Sequence, residues 1–189
     1  MAISPVTTAE NIARRAHEAA VTKTGEPYIH HPRRVAANVK EIPDWGMFSD
    51  AEREALECAA WLHDVVEDNP NFTLDSLRSE DIPELAVDVV ALLSKNLDVH
   101  GNVLREHVAE GDYLTRIRIH PLALRVKLAD LADNSNVIRQ REYASMIASG
   151  AVGPNRDPDR YPRYRAALDP DGEFGEWFEQ RILLDPHMA

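Results

Sequence analysis

The chain has 189 residues, 44% hydrophobic and 28% charged, a balance that excludes a fibrous rod or a disordered tail and fits one globular domain of about 150 residues with extensions. No apolar run approaches the roughly 18 residues that cross a bilayer, and Met1-Ala2-Ile3-Ser4-Pro5 has no leader-like character, so no membrane role and a cytoplasmic location are expected. A net charge of −11 argues against general binding to nucleic acid or anionic lipid, so any anionic ligand must be held locally.

The hydrophobic period is helical almost throughout, which predicts an all-α bundle with no sheet. Thr7-Thr8-Ala9-Glu10 predicts a capped helix reaching about Val21, and Lys23-Thr24-Gly25-Glu26-Pro27 breaks it. Pro32 suits the first turn of a second helix through Lys40. Ser49 or Asp50 opens a long helix through Val66, apolar on so many sides that it is expected to be central. Its Cys58, alone in the chain, reads as a small core residue. A short helix at Thr73–Arg78 and another from Pro83 to Leu93 follow, then a polar helical stretch from Gly101 to Arg118 with a break near Gly111. His120-Pro121 begins a helix running toward Tyr143. The segment Gly150–Pro162 reads as a loop over a cleft, before helices at Arg163–Leu168 and Phe174–Leu184. One domain is expected, with residues 1–149 as the core and 150–189 as an extension packed on it.

Charge is segregated along this order. Glu10–Lys40 carries Arg14, Arg15, Lys23, Arg33, Arg34 and Lys40 against three acids. Asp112–Glu142 carries Arg116, Arg118, Arg125, Lys127, Arg139 and Arg141 against four, whereas Glu41–Ser94 holds fourteen acids and two bases. The two basic stretches are candidate walls of an anion pocket.

The informative residues are polar ones in helix cores. His63-Asp64 sits within Ala59-Ala60-Trp61-Leu62-His63-Asp64-Val65-Val66-Glu67-Asp68, where an unpaired charge would be expensive. On a continuous helix His63 stacks with Glu67 and Asp64 with Asp68, giving two polar stripes beside one patch. Asp130 and Asn134 repeat the four-residue spacing within Lys127-Leu128-Ala129-Asp130-Leu131-Ala132-Asp133-Asn134. Two imidazoles and two carboxylates brought together would neutralise a divalent cation, with His31 as the natural second imidazole.

Tyr28-Ile29-His30-His31-Pro32, then Trp61 to Asp68, then Val126-Lys127-Leu128-Ala129-Asp130 with Asn134 resemble the successive motifs of the HD-domain superfamily. More narrowly they are similar to the guanosine tetraphosphate hydrolase domain of RelA/SpoT-type proteins and their small stand-alone relatives, over roughly Ala9 to Tyr143. The resemblance implies that His31, His63, Asp64 and Asp130 bind one metal, manganese by family preference, with Fe²⁺ or Zn²⁺ also suited to a mixed nitrogen and oxygen donor set. It implies that Glu67 and Asp68 serve the catalytic water and that Asn134 helps hold the substrate; from spacing, Glu67, one turn from His63, is the expected proton acceptor, with Asp68 orienting the water or a group behind the metal ligands.

Lys23, Lys95 and Lys127, with Arg116, Arg118 or Arg125, are candidates for the phosphate chain. Two positions depart from the family pattern: Thr22 stands where a base-stacking Arg is common, and Asn136 where another Arg is common. Arg14 or Arg15 could replace the lost stacking cation, and Tyr28 reads as packing beneath the metal helix. His30 reads as a surface neighbour of His31; His17, His100, His107, His120 and His187 read as surface or capping residues. The expectation is a metal-dependent phosphohydrolase of a nucleotide, with the 3′-pyrophosphate of guanosine tetraphosphate as first candidate. The alternatives are a phosphatase of another nucleotide, such as a 5′-nucleotidase or NADPH phosphatase, and a non-catalytic nucleotide-binding module.

Overall fold

A computed structural model describes residues 3–98, 100–153 and 157–186, and there the apolar stripes of the sequence form eleven α-helices. They are α1 (Pro5–Ala16), α2 (His30–Val39), α3 (Asp50–Leu62), α4 (Val65–Asp68), α5 (Leu74–Ser79) and α6 (Glu84–Leu93). Then come α7 (Glu110–Arg118), α8 (Pro121–Asn134), α9 (Val137–Ala148), α10 (Arg160–Leu168) and α11 (Gly175–Ile182). Among the described residues no strand forms, and the extended pairings are two isolated bridges, Val21 with Pro27 and Leu97 with Val103.

Two helices carry the architecture. A Ser49–Glu52 capping box starts α3, whose Ala55, Leu56, Cys58, Ala59, Ala60, Trp61 and Leu62 are all buried. Its small residues let α1, α2, α6 and α8 pack closely around it. Burial and the nearby Glu54 and Glu57 push the Cys58 thiol up to about 12, which leaves it an inert core residue. Helix α8, started by Pro121 behind the His120 cap, is buried on most of its sides and packs on α2, α3, α6, α7, α10 and α11. Thus α2, the end of α3 and the middle of α8 meet at one place in the core.

Several expected boundaries shift, each for a local reason. Ser4 caps α1 instead of Thr7, and the helix ends at Ala16 because a tight turn follows. In that turn Thr22 and Glu26 pair and Gly25 adopts φ +84°, a conformation that suits glycine. The expected long helix to Val66 stops at Leu62 and resumes as α4. Only the second half of the Gly101–Arg118 stretch is helical, since Asp98 accepts from the amides of His100 and Asn102 and closes a loop there. The helix expected to run toward Tyr143 divides at Ser135, and Asn136 caps α9 by accepting from the amides of Ile138 and Arg139. Helix α10 begins at Arg160 rather than Arg163, with Pro162 in its first turn, where the missing donor costs nothing. Residues 154–156 of the expected loop and His187 lie outside the described residues.

Candidate metal centre and cleft

The interruption between α3 and α4 builds the centre. His63 Nδ1–H donates to the Ala60 carbonyl at 2.9 Å, an acceptor that a continuous helix would offer to the amide of residue 64. The helix is interrupted at His63 and Asp64, but both keep right-handed helical dihedrals, and His63 and Glu67 still line one small space together. His31, in the first turn of α2, is held by Asp133, whose Oδ2 lies 2.7 Å from Nδ1.

Each imidazole therefore uses Nδ1–H as a donor and presents Nε2 as a lone pair. The two Nε2 atoms face each other at 3.2 Å, both rings being 3% exposed. Two lone pairs at that distance repel unless something positive lies between them. The carboxylates complete the arrangement: Asp64 Oδ2 is 3.0 Å from His63 Nε2 and 3.6 Å from His31 Nε2. Asp130 Oδ1 is 3.3 Å from His31 Nε2 and 3.8 Å from His63 Nε2. Donors bound at about 2.0–2.2 Å to one divalent ion sit roughly 3 Å from their neighbours, so this set fits such an ion. His31, His63 and Asp130 form a buried group able to hold a metal, and Asp64 borders it.

The electrostatics agree with that fit. Burial works against charging either imidazole, yet Asp130, Asp133 and Asp64 hold His31 well above its ordinary value, and Asp64 leads in raising His63. Burial alone would raise Asp64 and Asp130, but His63 and His31 at Asp64, and Lys127 with the histidines at Asp130, drive both far below the usual range. The site demands positive charge, which a proton or a divalent cation supplies.

Asp130 is held from two further sides, by Lys127 Nζ at 2.6 Å on Oδ2 and Asn134 Nδ2 at 2.5 Å on Oδ1. Asn134 therefore touches the carboxylate expected to hold the metal, in addition to lining the cleft. Tyr28 hydroxyl donates to Asp64 Oδ2 at 2.5 Å, so it supports the centre directly. Glu67 Oε2 accepts the Lys95 amide at 2.8 Å, which ties α4 to the segment after α6. Partial burial and the neighbouring carboxylates Asp64 and Glu67 push Asp68 up to about 6, although its side chain still reaches solvent.

Above these groups opens a cleft of about 310 Å³. Lys23, Lys95, Lys127 and Asn134 line it with His31, Asp64, Glu67, Asp68 and Asp130, so all the expected site residues except His63 share its wall. His63 lines an adjoining space of about 30 Å³ with Asp64, Glu67, Lys95, Lys127 and Asp130, enough for about one water. Lys95 and Lys127 stand over the Tyr113 ring at 4.9 and 5.8 Å. Burial first, then Lys127, lowers the Lys95 ammonium, whereas for Lys127 burial is overcome by Asp130, Tyr113 and Asp64 together, which hold it well above its ordinary value.

Of the wall that α9 and α10 supply, only Arg139 was named in advance as a candidate, within a basic stretch. Arg139, Gln140 and Tyr143 of α9 and Arg160, Tyr161 and Tyr164 of α10 line the cleft. Lys23 Nζ lies 5.2 Å from the Tyr143 ring centre, and Arg160 stacks on Tyr161 at 4.9 Å. The advance signals were the basic stretch that contains Arg139 and the expectation that Gly150–Pro162, which contains Arg160 and Tyr161, covers a cleft.

Other expectations are corrected. Arg116 is buried and donates to the carbonyls of Leu92, Ser94 and Leu97, closing the C-terminal end of α6 instead of facing phosphate. Arg125 pairs with Asp44, and Arg118 is exposed and absent from the cleft wall. Arg14 and Arg15 pair with Glu10 and Glu80, so neither replaces a base-stacking cation. His17 is buried against Tyr28, with ring centres 4.7 Å apart, and desolvation lowers it to about 4. His100 and His107 are exposed, and His120 caps α8.

Comparison with known proteins bears on this geometry. The HD domain family matches residues 28–135, which include every one of the four converging donors. The chain belongs to the HD-domain family. Its HD-domain relatives include a guanosine-3′,5′-bis(diphosphate) 3′-pyrophosphohydrolase of Haemophilus influenzae, 34% identical over 128 residues, 68% of this chain and 17% of that protein. The bifunctional (p)ppGpp synthase/hydrolase SpoT of Escherichia coli is 38% identical over 86 residues, 44% of this chain and 11% of that protein. A probable GTP pyrophosphokinase of Mycobacterium leprae is 32% identical over 143 residues, 72% of this chain and 16% of that protein. The chain thus spans between 11% and 17% of the length of these relatives, and its similarity runs to the RelA/SpoT-type branch of the HD family. Among the described residues no helix is long and apolar enough to cross a membrane.

Proposed function

We propose that the protein is a metal-dependent pyrophosphohydrolase of guanosine 3′,5′-bis(diphosphate), yielding GDP and pyrophosphate. The observation that carries this reading is the meeting of two imidazoles with two carboxylates, both imidazoles within 3.8 Å of both acids, at the floor of a cleft walled by Lys and Arg. The names of the relatives support the substrate class. A bound divalent ion supplies Lewis acidity toward a phosphoryl oxygen and lowers the pKa of a coordinated water. The donor set suits Mn²⁺, Fe²⁺ or Zn²⁺, and manganese is the proposed native ion.

The chain's own residues then divide the work. His31, His63, Asp64 and Asp130 would hold the ion. Glu67, anchored through one oxygen to the Lys95 amide, orients the attacking water with the other. Asp68 is placed to accept the water's proton, because a carboxyl held up to about 6 by burial and the neighbouring Asp64 and Glu67 is poised near neutral pH. This reverses the roles expected from the sequence for Glu67 and Asp68. Lys95 and Lys127 neutralise the phosphate nearest the floor, and Lys23, Arg139 and Arg160 the groups nearer the mouth, through charge-assisted hydrogen bonds.

A second reading has one observation in its favour. Thr22, a neutral side chain, lines the cleft where a base-stacking cation would be expected, and Asn136 is buried as the cap of α9. That altered rim suits a phosphatase of a different nucleotide. A Mn²⁺-supplemented assay over guanosine tetraphosphate, NADPH and 5′-nucleotides separates the two. Pyrophosphate released only from guanosine tetraphosphate is the expected result, abolished by chelator. Orthophosphate from another substrate selects the second reading, and binding without turnover removes both.

A further inference from the structure

The two metal-facing imidazoles are fixed in different ways. His63 relies on a backbone carbonyl one turn back in its own helix, whereas His31 relies on another side chain, Asp133. Asp133 is 4% exposed and lies three residues beyond Asp130 on α8. A buried carboxylate survives only if its oxygens are paired. Arg34 from α2 gives Nε to Oδ1 at 2.6 Å, and Arg139 from α9 gives Nη1 to Oδ2. Arg34 is itself clamped by Glu26 at 2.8 and 3.3 Å.

The geometry of this cluster is not that of a plain ion pair. A guanidinium facing a carboxylate forms two matched bonds when nothing else competes. Here Arg34 makes one short contact to Oδ1, and its second, to Oδ2, stretches to 3.4 Å. The carboxylate is tilted so that Oδ2 meets the His31 ring at 2.7 Å.

We propose that Asp133 is a positioning residue for the metal centre, clamped by Arg34 and Arg139 so that it locks His31 in the Nδ1–H form and aims Nε2 at the ion. The proposal rests on reading His31 as a metal ligand. A carboxylate on the remote N–H of a ligand imidazole fixes the ring and raises its donor strength. Arg139 also lines the cleft, so the clamp has one end among the groups that would meet phosphate.

The test is calorimetric titration of Mn²⁺ into the metal-free full chain, for the unmodified protein, Asp133→Ala and the near-isosteric Asp133→Asn. Asp133→Ala is expected to weaken Mn²⁺ binding by about 10- to 100-fold. Asp133→Asn, which keeps an acceptor oxygen but loses its charge, is expected to fall between the two. Nitrogen-15 NMR of the Zn²⁺-loaded chain is expected to show a slowly exchanging His31 Nδ1–H that Asp133→Ala loses. Should Asp133→Ala not fold, Asp133→Asn decides alone. Lower thermal stability with unchanged Mn²⁺ affinity and unchanged His31 signal would make Asp133 a structural ion-pair member and overturn the proposal. If the unmodified chain binds no Mn²⁺, the metal reading itself falls, and the positioning role with it.

Discussion

The floor and the mouth of the cleft are built on opposite principles. At the floor each side chain is held by a fixed partner: His63 on Ala60, His31 on Asp133, Asp130 on Lys127 and Asn134, Glu67 on the Lys95 amide. At the mouth, long side chains lie over rings, Lys23 on Tyr143 and Arg160 on Tyr161, with Lys23 and Arg160 reaching solvent. A buried polar group must be satisfied before any ligand arrives, so the floor is preorganised. A solvated cation has no such obligation and can adjust to what it meets. The floor is suited to chemistry that demands one geometry, the mouth to selecting among anions.

The largest expected effect is at the floor. Asp64→Ala should abolish Mn²⁺ binding in calorimetry and turnover in the pyrophosphate-release assay, because it removes a donor and the charge that raises His63. Next comes Glu67→Gln, expected to retain Mn²⁺ affinity while lowering kcat by about 10²-fold through loss of the water's orientation; retained turnover would remove Glu67 from the chemistry.

Asp68 gives a pH-dependent prediction. As a base it must be ionised, and its carboxyl is held up to about 6, so kcat should fall with acidification through that region. A bound cation nearby would pull the limb below 6, never above it. Assayed at saturating Mn²⁺, Asp68→Asn should lose that limb along with much of its activity. A limb that persists unchanged assigns the titration elsewhere.

Substitutions at the mouth should be milder and of a different kind. Arg160→Ala or Lys23→Ala is expected to raise KM by roughly tenfold, about one charge-assisted hydrogen bond, with kcat within a few-fold of normal. An equal loss in kcat would mean that the mouth is as preorganised as the floor. The smallest effect is expected for Tyr143→Leu, which leaves Lys23 in place but removes its ring. KM should rise by only a few-fold, since an exposed cation–ring contact is worth about 0.5–1 kcal/mol.

Much of the floor was legible in advance because its signal is local and costly. A charged or imidazole side chain inside an apolar helix, as at His63-Asp64 or Asp130, needs a reason to be there, and the four donors do converge. Asp133, like Asp130, follows a Leu-Ala pair, yet nothing there tells which acid faces the ion and which faces its imidazole. That depends on the rotation of α8 against α2. His17 and Arg116 misled for the same reason: a polar residue on a periodic surface can be turned inward against Tyr28 or onto the end of α6.

By itself the sequence determined that the chain is helical, that the helix bearing His63 is central, and which residues are chemically out of place within the apolar helices, since periodicity and burial cost are properties of neighbours along the chain. Only the tertiary structure decided that α3 breaks after Leu62, that His31 is aimed by Asp133, and that α9 and α10 wall the cleft. Those outcomes depend on competition for hydrogen-bond partners between segments up to about a hundred positions apart, as between His31 and Asp133, and no local pattern encodes which partner wins.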